Sequence, residues 1–331
     1  MQNATETTLQ SLNPVHNAGI RICIGAFRTS PVESILVDAA EPPLSTRRGI
    51  LCSNYILKVS QFRNHPTYKC IFEPDFRENY ERRTNLTPPF GIRYGAAIAE
   101  LDLPVALLDT PKHRESPPWE IASPRVDFSL VDYKKDSNIP TVLLSKFYNV
   151  LERYDGYVEI YTDGSKSDSG VGCAAVTSID MKKSIRLHKD ASVFSAELYA
   201  LLAALTCVLT NSLHKKFVIF SDSLSSLKAI ESIIPPNTLA YRVRYHCHLL
   251  KQKGKDIRFV WVPSHVGIPG NEKADKLAKR AAVFNQYNNN RTLPLCDFKA
   301  SIRKLHLKVW SDSWLATRMN KLRFAKSSVE P

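Results

Sequence analysis

From Tyr157 onward, segments patterned as strands and helices alternate with short connections for nearly 130 residues. No other feature of the sequence constrains the fold as strongly, because such alternation is the mark of an α/β or α+β domain. Strand patterns cover residues 157–162, 171–177 and 184–188, joined by connections short enough for antiparallel hairpins. A long helix is expected over 194–210, with Phe194, Leu198, Leu201, Leu202, Leu205, Val208 and Leu209 on one broad face. Then come a buried-type strand at 217–221, helices over 224–232 and 239–252, and a strand at 257–262 in which Ile257, Phe259 and Trp261 alternate. After a loop at 263–270, a last helix over 271–284 carries Ala274, Leu277, Ala278 and Ala281 at helical spacing. The expected fold class is therefore α/β, a sheet flanked by helices.

The flanks read differently. Pro14 opens a helical pattern carrying Val15, Ala18, Ile22 and Ala26. Ser30, Pro31 and Glu33 fit an N-cap, a first-turn proline and a capping-box acid ahead of Ile35, Leu36 and Val37. A third pattern runs through Ile50, Leu51, Tyr55, Ile56, Leu57 and Val59. Residues 1–63 are thus expected to form a helical region. Residues 64–156 hold little sustained periodicity and many prolines, among them Pro88, Pro89, Pro104, Pro111, Pro117, Pro118, Pro124 and Pro140, and read as a Pro-rich linker. The alternating domain is placed at 157–284, a polar break at 285–290, and a basic tail at 285–331. Phe298, Ile302, Leu305, Trp310, Trp314 and Leu315 lie among the basic residues of that tail, a pattern that fits a basic amphipathic helix or a helix packed on the domain.

The net charge is +13, and its distribution carries the information. Residues 1–156 hold 18 basic and 18 acidic side chains, residues 157–275 hold 15 and 11, and residues 276–331 hold 12 and 3. An excess confined to the C-terminal half is the footprint expected of a polyanion partner, although a solvated basic surface gives the same counts. The longest uncharged apolar run, residues 198–209, is short of the roughly 20 residues a membrane span needs, so no membrane segment is expected. The first ten residues are polar and lack a secretory pattern, and the sequon at Asn3 is read as chance. Seven cysteines without a C-x-x-C pair fit a reducing, intracellular compartment.

Four acids fall where chemistry is placed in such folds. Asp163 follows the first strand, Glu197 lies early in the long helix, Asp222 follows the fourth strand, and Asp275 lies early in the last helix. Strand ends and helix starts converge at one edge of an open sheet. Converging carboxylates repel and resist ionisation unless a cation neutralises them, and hard oxygen donors suit magnesium or manganese. Two such ions about 4 Å apart can activate water and stabilise the leaving oxygen of a phosphodiester. Taken singly, each residue has a plainer reading. Asp163 before Gly164 is a turn residue, Glu197 an acid near a helix start, Asp222 a helix cap, Asp275 a solvated helix residue beside Lys273 and Lys276, and His265 a loop histidine.

Four blocks in order weaken those plainer readings. They are Tyr161-Thr162-Asp163-Gly164-Ser165, Ser195-Ala196-Glu197-Leu198, Phe220-Ser221-Asp222-Ser223, and Trp261-Val262-Pro263-Ser264-His265 leading to Gly270-Asn271-Glu272-Lys273-Ala274-Asp275. Together they resemble the type 1 ribonuclease H family over residues 157–284. The resemblance implies a ribonuclease H-like mixed five-stranded sheet flanked by helices and hydrolysis of the RNA strand of an RNA/DNA hybrid. It implies Asp163, Glu197, Asp222 and Asp275 as ligands of two Mg2+ ions, with Mn2+ as the alternative, and Asp163 as the shared ligand. By the same match His265 is a mobile proton-transfer or product-release residue. Gly164, Ser165 and Ser223 are then candidates for contacts to successive 2′ hydroxyls. The basic protrusion of some members is absent, since residues 233–255 are compact, so hybrid affinity is expected to draw on Arg303, Lys304, Lys308, Arg318, Lys321 and Arg323, or on another polypeptide.

The flanks are also similar to a non-LTR retrotransposon polyprotein. The run from Pro14 to Arg21, Gly25 to Ser34 and Glu41-Pro42-Pro43-Leu44 looks like the helical stretch after a reverse transcriptase core. The tail with Trp310, Trp314 and Asn320-Lys321-Leu322 is similar to the region after the ribonuclease H domain of such elements. A polymerase's paired-aspartate motif is absent, so no polymerase activity is expected of this chain alone. The leading expectation is a metal-dependent hybrid endonuclease from a retroelement, with an RNA/DNA hybrid and a reverse transcriptase polypeptide as partners and nuclear residence compatible with that origin. The alternatives are a catalytically silent nucleic-acid-binding remnant and an interaction scaffold using residues 1–156.

Overall fold

The computed structural model describes residues 5–83, 87–99, 107–110, 117, 119–133, 139–235, 237–283, 291–317 and 320–329. The sequon at Asn3, Pro104, Pro111, Pro118, the helix end at Phe284, the polar break and Arg318 lie outside the described residues. The chain divides into two compact units, one of residues 1–106 with 298–331, the other of residues 107–297.

The first unit starts with helices α1 (Glu6–Gln10), α2 (Asn13–Ile24), α3 (Val32–Asp38), α4 (Leu44–Ser60), α5 (Pro66–Phe72), α6 (Arg77–Arg82) and α7 (Phe90–Ala99). The second helix stops at Ile24, before the expected Ala26, because Gly25 is left-handed at φ 65° and its N–H closes onto Arg21 and Ile22 carbonyls. At α3 the N-cap is Pro31, extended at ψ 143°, rather than the expected Ser30. Ile56 and Val59 of α4 pack with Ile71 of α5 and with Phe90 and Tyr94 of α7.

The second unit holds β1 (Arg125–Asp127), α8 (Pro140–Leu151), β2 (Val158–Ser167), β3 (Gly170–Thr177), β4 (Lys182–Leu187), α9 (Val193–Thr210), β5 (Lys216–Ser221), α10 (Leu224–Glu231), α11 (Thr238–Gln252), β6 (Asp256–Trp261) and α12 (Pro269–Val283). Its mixed sheet has the order β1-β6-β5-β2-β3-β4. The β2–β3 and β3–β4 pairs are antiparallel, while β2–β5, β5–β6 and β1–β6 are parallel. Five strands match the sequence patterns, and β1 is a sixth that extends the sheet beyond β6.

Side chains alternate across the sheet and build two cores. On one face Tyr161, Val218, Phe220 and Val260 pack against Leu143, Phe147 and Val150 of α8 and Ala274 of α12. Phe147 meets Phe220 edge-on at 5.4 Å between ring centroids. The opposite face, with Ile160, Ile219 and Phe259, is that of α9, which packs on β2, β3 and β5. By length and composition α9 could cross a membrane, but 72% of it is buried inside the domain, as a central core helix must be. Ser192 caps it by accepting from the Ser195 N–H.

The described residues between 107 and 154 therefore belong to the sheet domain, although the prolines make residues 64–156 read as a linker. Pro140 does not break a helix; it occupies the first turn of α8, where its missing N–H costs nothing. Arg244, 1% exposed, fixes the approach to β1: it donates to the carbonyls of Ile230 and Glu231 and to those of Ile121 and the Ser123 hydroxyl. The two ends of the unit are stitched by a parallel bridge of Leu108 with Leu293, in which the Asp109 N–H donates to the Leu293 carbonyl at 2.8 Å.

Helix α13 (Leu295–Ala316) leads out of the second unit and α14 (Leu322–Ala325) follows it. In the first unit Trp310 and Trp314 of α13 pack with Ile20, Ile35, Leu36 and Val37, and the Trp314 indole N–H donates to the Lys326 carbonyl. Arg303, Lys304 and Lys308 stay exposed on the same helix. The tail thus covers its apolar face within the helical unit and leaves its basic face to solvent.

Candidate active site

The two strands whose neighbourhood carries the acids are β2 and β5, parallel neighbours in register from Val158 opposite Phe217 to Thr162 opposite Ser221. Asp163, expected just past the first strand, lies inside β2, opposite Ala174 of β3. The pair Asp163-Gly164 looks like a turn, yet the glycine serves a different need. A Cβ on Gly164 would fall 2.5 Å from the Glu197 backbone nitrogen and 2.7 Å from the Ala196 carbonyl carbon. Only a residue without a side chain lets β2 run this close to α9. That approach puts Glu197, in the second turn of α9, beside Asp163, and the Gly164 N–H donates to the Glu197 carboxylate.

Asp222 is the first residue past β5. Its carbonyl accepts from the Trp261 indole N–H at 3.1 Å, and its carboxylate accepts from the Asn271 side-chain amide at 3.2 Å. Asp163, Glu197 and Asp222 each bring a carboxylate oxygen within 4.8 Å of the others. A second group forms beside it from His265, Glu272 and Asp275, with ligand atoms likewise within 4.8 Å. His265 is exposed in the loop before α12, in the left-handed region at φ 55°. Asp275 accepts a hydrogen bond from Lys279 at 2.8 Å. Ser165 lies two residues past Asp163 on β2, and Ser223 lies beside Asp222, where its hydroxyl donates to Ser226.

Electrostatics link the two groups. Burial, then the charges of Asp222 and Asp275, push the Asp163 carboxyl up to about 7, with Lys279 opposing and Glu272 adding to the rise. Burial and the charges of Asp163 and Asp222 hold Glu197 well above the usual carboxylate range, against the pull of the Gly164 amide. Glu197 Oε2 is buried with no hydrogen-bond partner among the described residues. An oxygen of this kind is costly to bury unless something binds it. A hard divalent cation fits: the donors are carboxylate oxygens, they converge, and they are short of positive charge.

All five acid–base residues singled out in the sequence are thus brought into two adjoining groups. Glu272 and Asn271 were not singled out, although Glu272 stands three residues before Asp275 and so shares its helix face. The convergent, poorly neutralised carboxylates thus lie just beyond the point where the parallel pairing of β2 with β5 stops. Residues 155–283 match the family model described as RNase H, which supports an RNase H domain at these positions. A search of curated proteins finds no match to the chain.

Proposed function

We propose that this protein is a metal-dependent endonuclease that hydrolyses the RNA strand of RNA/DNA hybrids and that it derives from a non-LTR retroelement. One observation carries the activity: Asp163, Glu197 and Asp222 converge within 4.8 Å, largely buried, inside the residues that match the RNase H family model. Asp163, Glu197, Asp222 and Asp275 would hold two Mg2+ ions, with Mn2+ as the alternative. Bound there, the cations supply Lewis-acid polarisation of a phosphodiester and a water of lowered pKa.

The chain's own groups do the rest. Asp163, whose carboxyl feels the charges of Asp222, Asp275 and Glu272, would be the ligand shared by the two cations. Asn271 orients the Asp222 carboxylate through the 3.2 Å hydrogen bond. His265, exposed on its loop beside Asp275 and Glu272, either moves a proton at the leaving 3′ oxygen or assists release of the product. Gly164, Ser165 and Ser223 contact the ribose 2′ hydroxyls, and these contacts distinguish RNA from DNA. The helical unit, with Arg303, Lys304 and Lys308 exposed, holds phosphates or a reverse transcriptase polypeptide.

A chimeric substrate tests the selectivity. A DNA strand carrying a short ribonucleotide run, paired with DNA, is expected to be cut only within that run, with a 3′ hydroxyl and a 5′ phosphate at the break. Cutting at deoxyribonucleotides at a comparable rate, or products with cyclic phosphate ends, would overturn the reading.

A further inference from the structure

Helix α12 turns three charged residues toward one side at spacings of three and four: Glu272, Asp275 and Lys279. The Lys279 ammonium donates to Asp275 Oδ2 at 2.8 Å, with 59% of the lysine side chain exposed and only 14% of the aspartate's. Asp275 is therefore held by a cation on a flexible stem that solvent can receive when it lets go. The Asp163, Glu197 and Asp222 group differs from it, because Glu197 Oε2 is buried without a hydrogen-bond partner among the described residues. One carboxylate group awaits a cation, while the other already carries one supplied by the protein.

We infer that Lys279 is the resident counter-ion of Asp275 and that its displacement sets the affinity of the weaker of two unequal cation positions. The inference rests on the reading of these carboxylates as a cation site. A divalent ion entering between Asp163, Glu197 and Asp222 meets no ammonium on the buried Glu197 oxygen. An ion that recruits Asp275 must first free its Oδ2 from Lys279, and meets the repulsion of that charge nearby. The second position therefore fills more weakly than the first, and a further negative charge nearby, such as a substrate phosphate, favours the exchange. An ordinary helix-surface pair would have the same acid-first spacing, but it would have no bearing on cation affinity.

The test is a Mn2+ titration of the full chain followed by electron paramagnetic resonance, on wild type, Lys279→Met and Lys279→Arg. Wild type is expected to bind one Mn2+ tightly and a second more weakly. In Lys279→Met the weak step tightens about tenfold, the effect of removing one nearby charge from a partly solvated site, while the tight step, which feels Lys279 only at longer range through Asp163, shifts much less. Lys279→Arg, which keeps the charge, titrates like wild type. Because Lys279 is exposed, the variants are expected to melt with wild type in EDTA. A weak step unmoved in Lys279→Met, or both steps shifted alike, overturns the inference. Two Mn2+ steps that respond as expected in a protein that cuts no hybrid would overturn the proposed function and leave the role of Lys279 standing. Normal cutting with unchanged Mn2+ steps would do the reverse.

Discussion

Asp163→Asn will melt above wild type at pH 8 in EDTA, and the gap will close as the pH falls toward 4. The sign follows from the direction of the shift. Burial and neighbouring charges raise the folded-state carboxyl to about 7, whereas in the unfolded chain it sits near 3.9. The folded protein thus prefers the protonated acid, so wild type loses stability as the pH rises from the unfolded value through the folded one. The asparagine, neutral throughout, escapes that loss. At pH 8 the difference is on the order of 2–4 kcal/mol, or about 5–10 °C in Tm for a unit of this size. Scanning calorimetry from pH 4 to 8 would show it, and a wild type at least as stable as the variant at pH 8 would contradict it. Added Mg2+ or Mn2+ should raise wild type and leave the variant nearly unmoved, because only wild type keeps the full ligand set. The same substitution should cost at least about a thousandfold in cleavage.

Residues 155–283, although they span the whole family match, will not fold cooperatively alone, whereas residues 107–297 will. The shorter piece lacks β1, α8 and the Leu108–Leu293 bridge. Leu130, Leu143, Phe147 and Val150 are each 3% exposed or less against the sheet face that includes Val218, Phe220 and Val260. Burying four such side chains contributes about 6–12 kcal/mol, comparable to the entire net stability of a domain, roughly 5–15 kcal/mol. The point variant Phe147→Ala isolates the effect: it should cost about 3–5 kcal/mol and lower Tm by about 10 °C. Circular dichroism melting of the two fragments and the variant checks this, and a 155–283 fragment that melts as sharply and as hot as 107–297 would refute it.

What the sequence showed and what it hid have physical reasons. The strands from β2 to β6 were readable because buried and half-buried runs such as those around Phe217 and Phe259 leave strong patterns, and α9 was readable from its apolar length. The three-residue strand β1 is too short to show a period, and its place is set by Arg244, which in sequence looks like any solvated cation on a helix. The pattern in α8 was masked by prolines, one of which starts the helix rather than ending it. Among the site residues, Asp163, Glu197, Asp222, His265 and Asp275 were found because each falls in an ordered block. Asn271 and Glu272 fall in the same block as Asp275 and Lys279 just beyond it, but their relevance arises only when α12 brings Asn271 to Asp222 and sets Glu272 and Lys279 beside Asp275. In sequence Gly164 reads as a turn residue and a candidate 2′-hydroxyl contact, because the close packing of strand on helix that demands it is invisible until α9 is in place.

The measurement that bears most directly on the function is cleavage of an end-labelled RNA/DNA hybrid by the purified chain in Mg2+, beside duplex DNA, duplex RNA and the Asp222→Asn variant. The expected result is cutting of the RNA strand of the hybrid alone, lost in EDTA and lost in the variant. Folded protein that binds the hybrid in a salt-sensitive way but leaves its RNA intact in both Mg2+ and Mn2+ would contradict it.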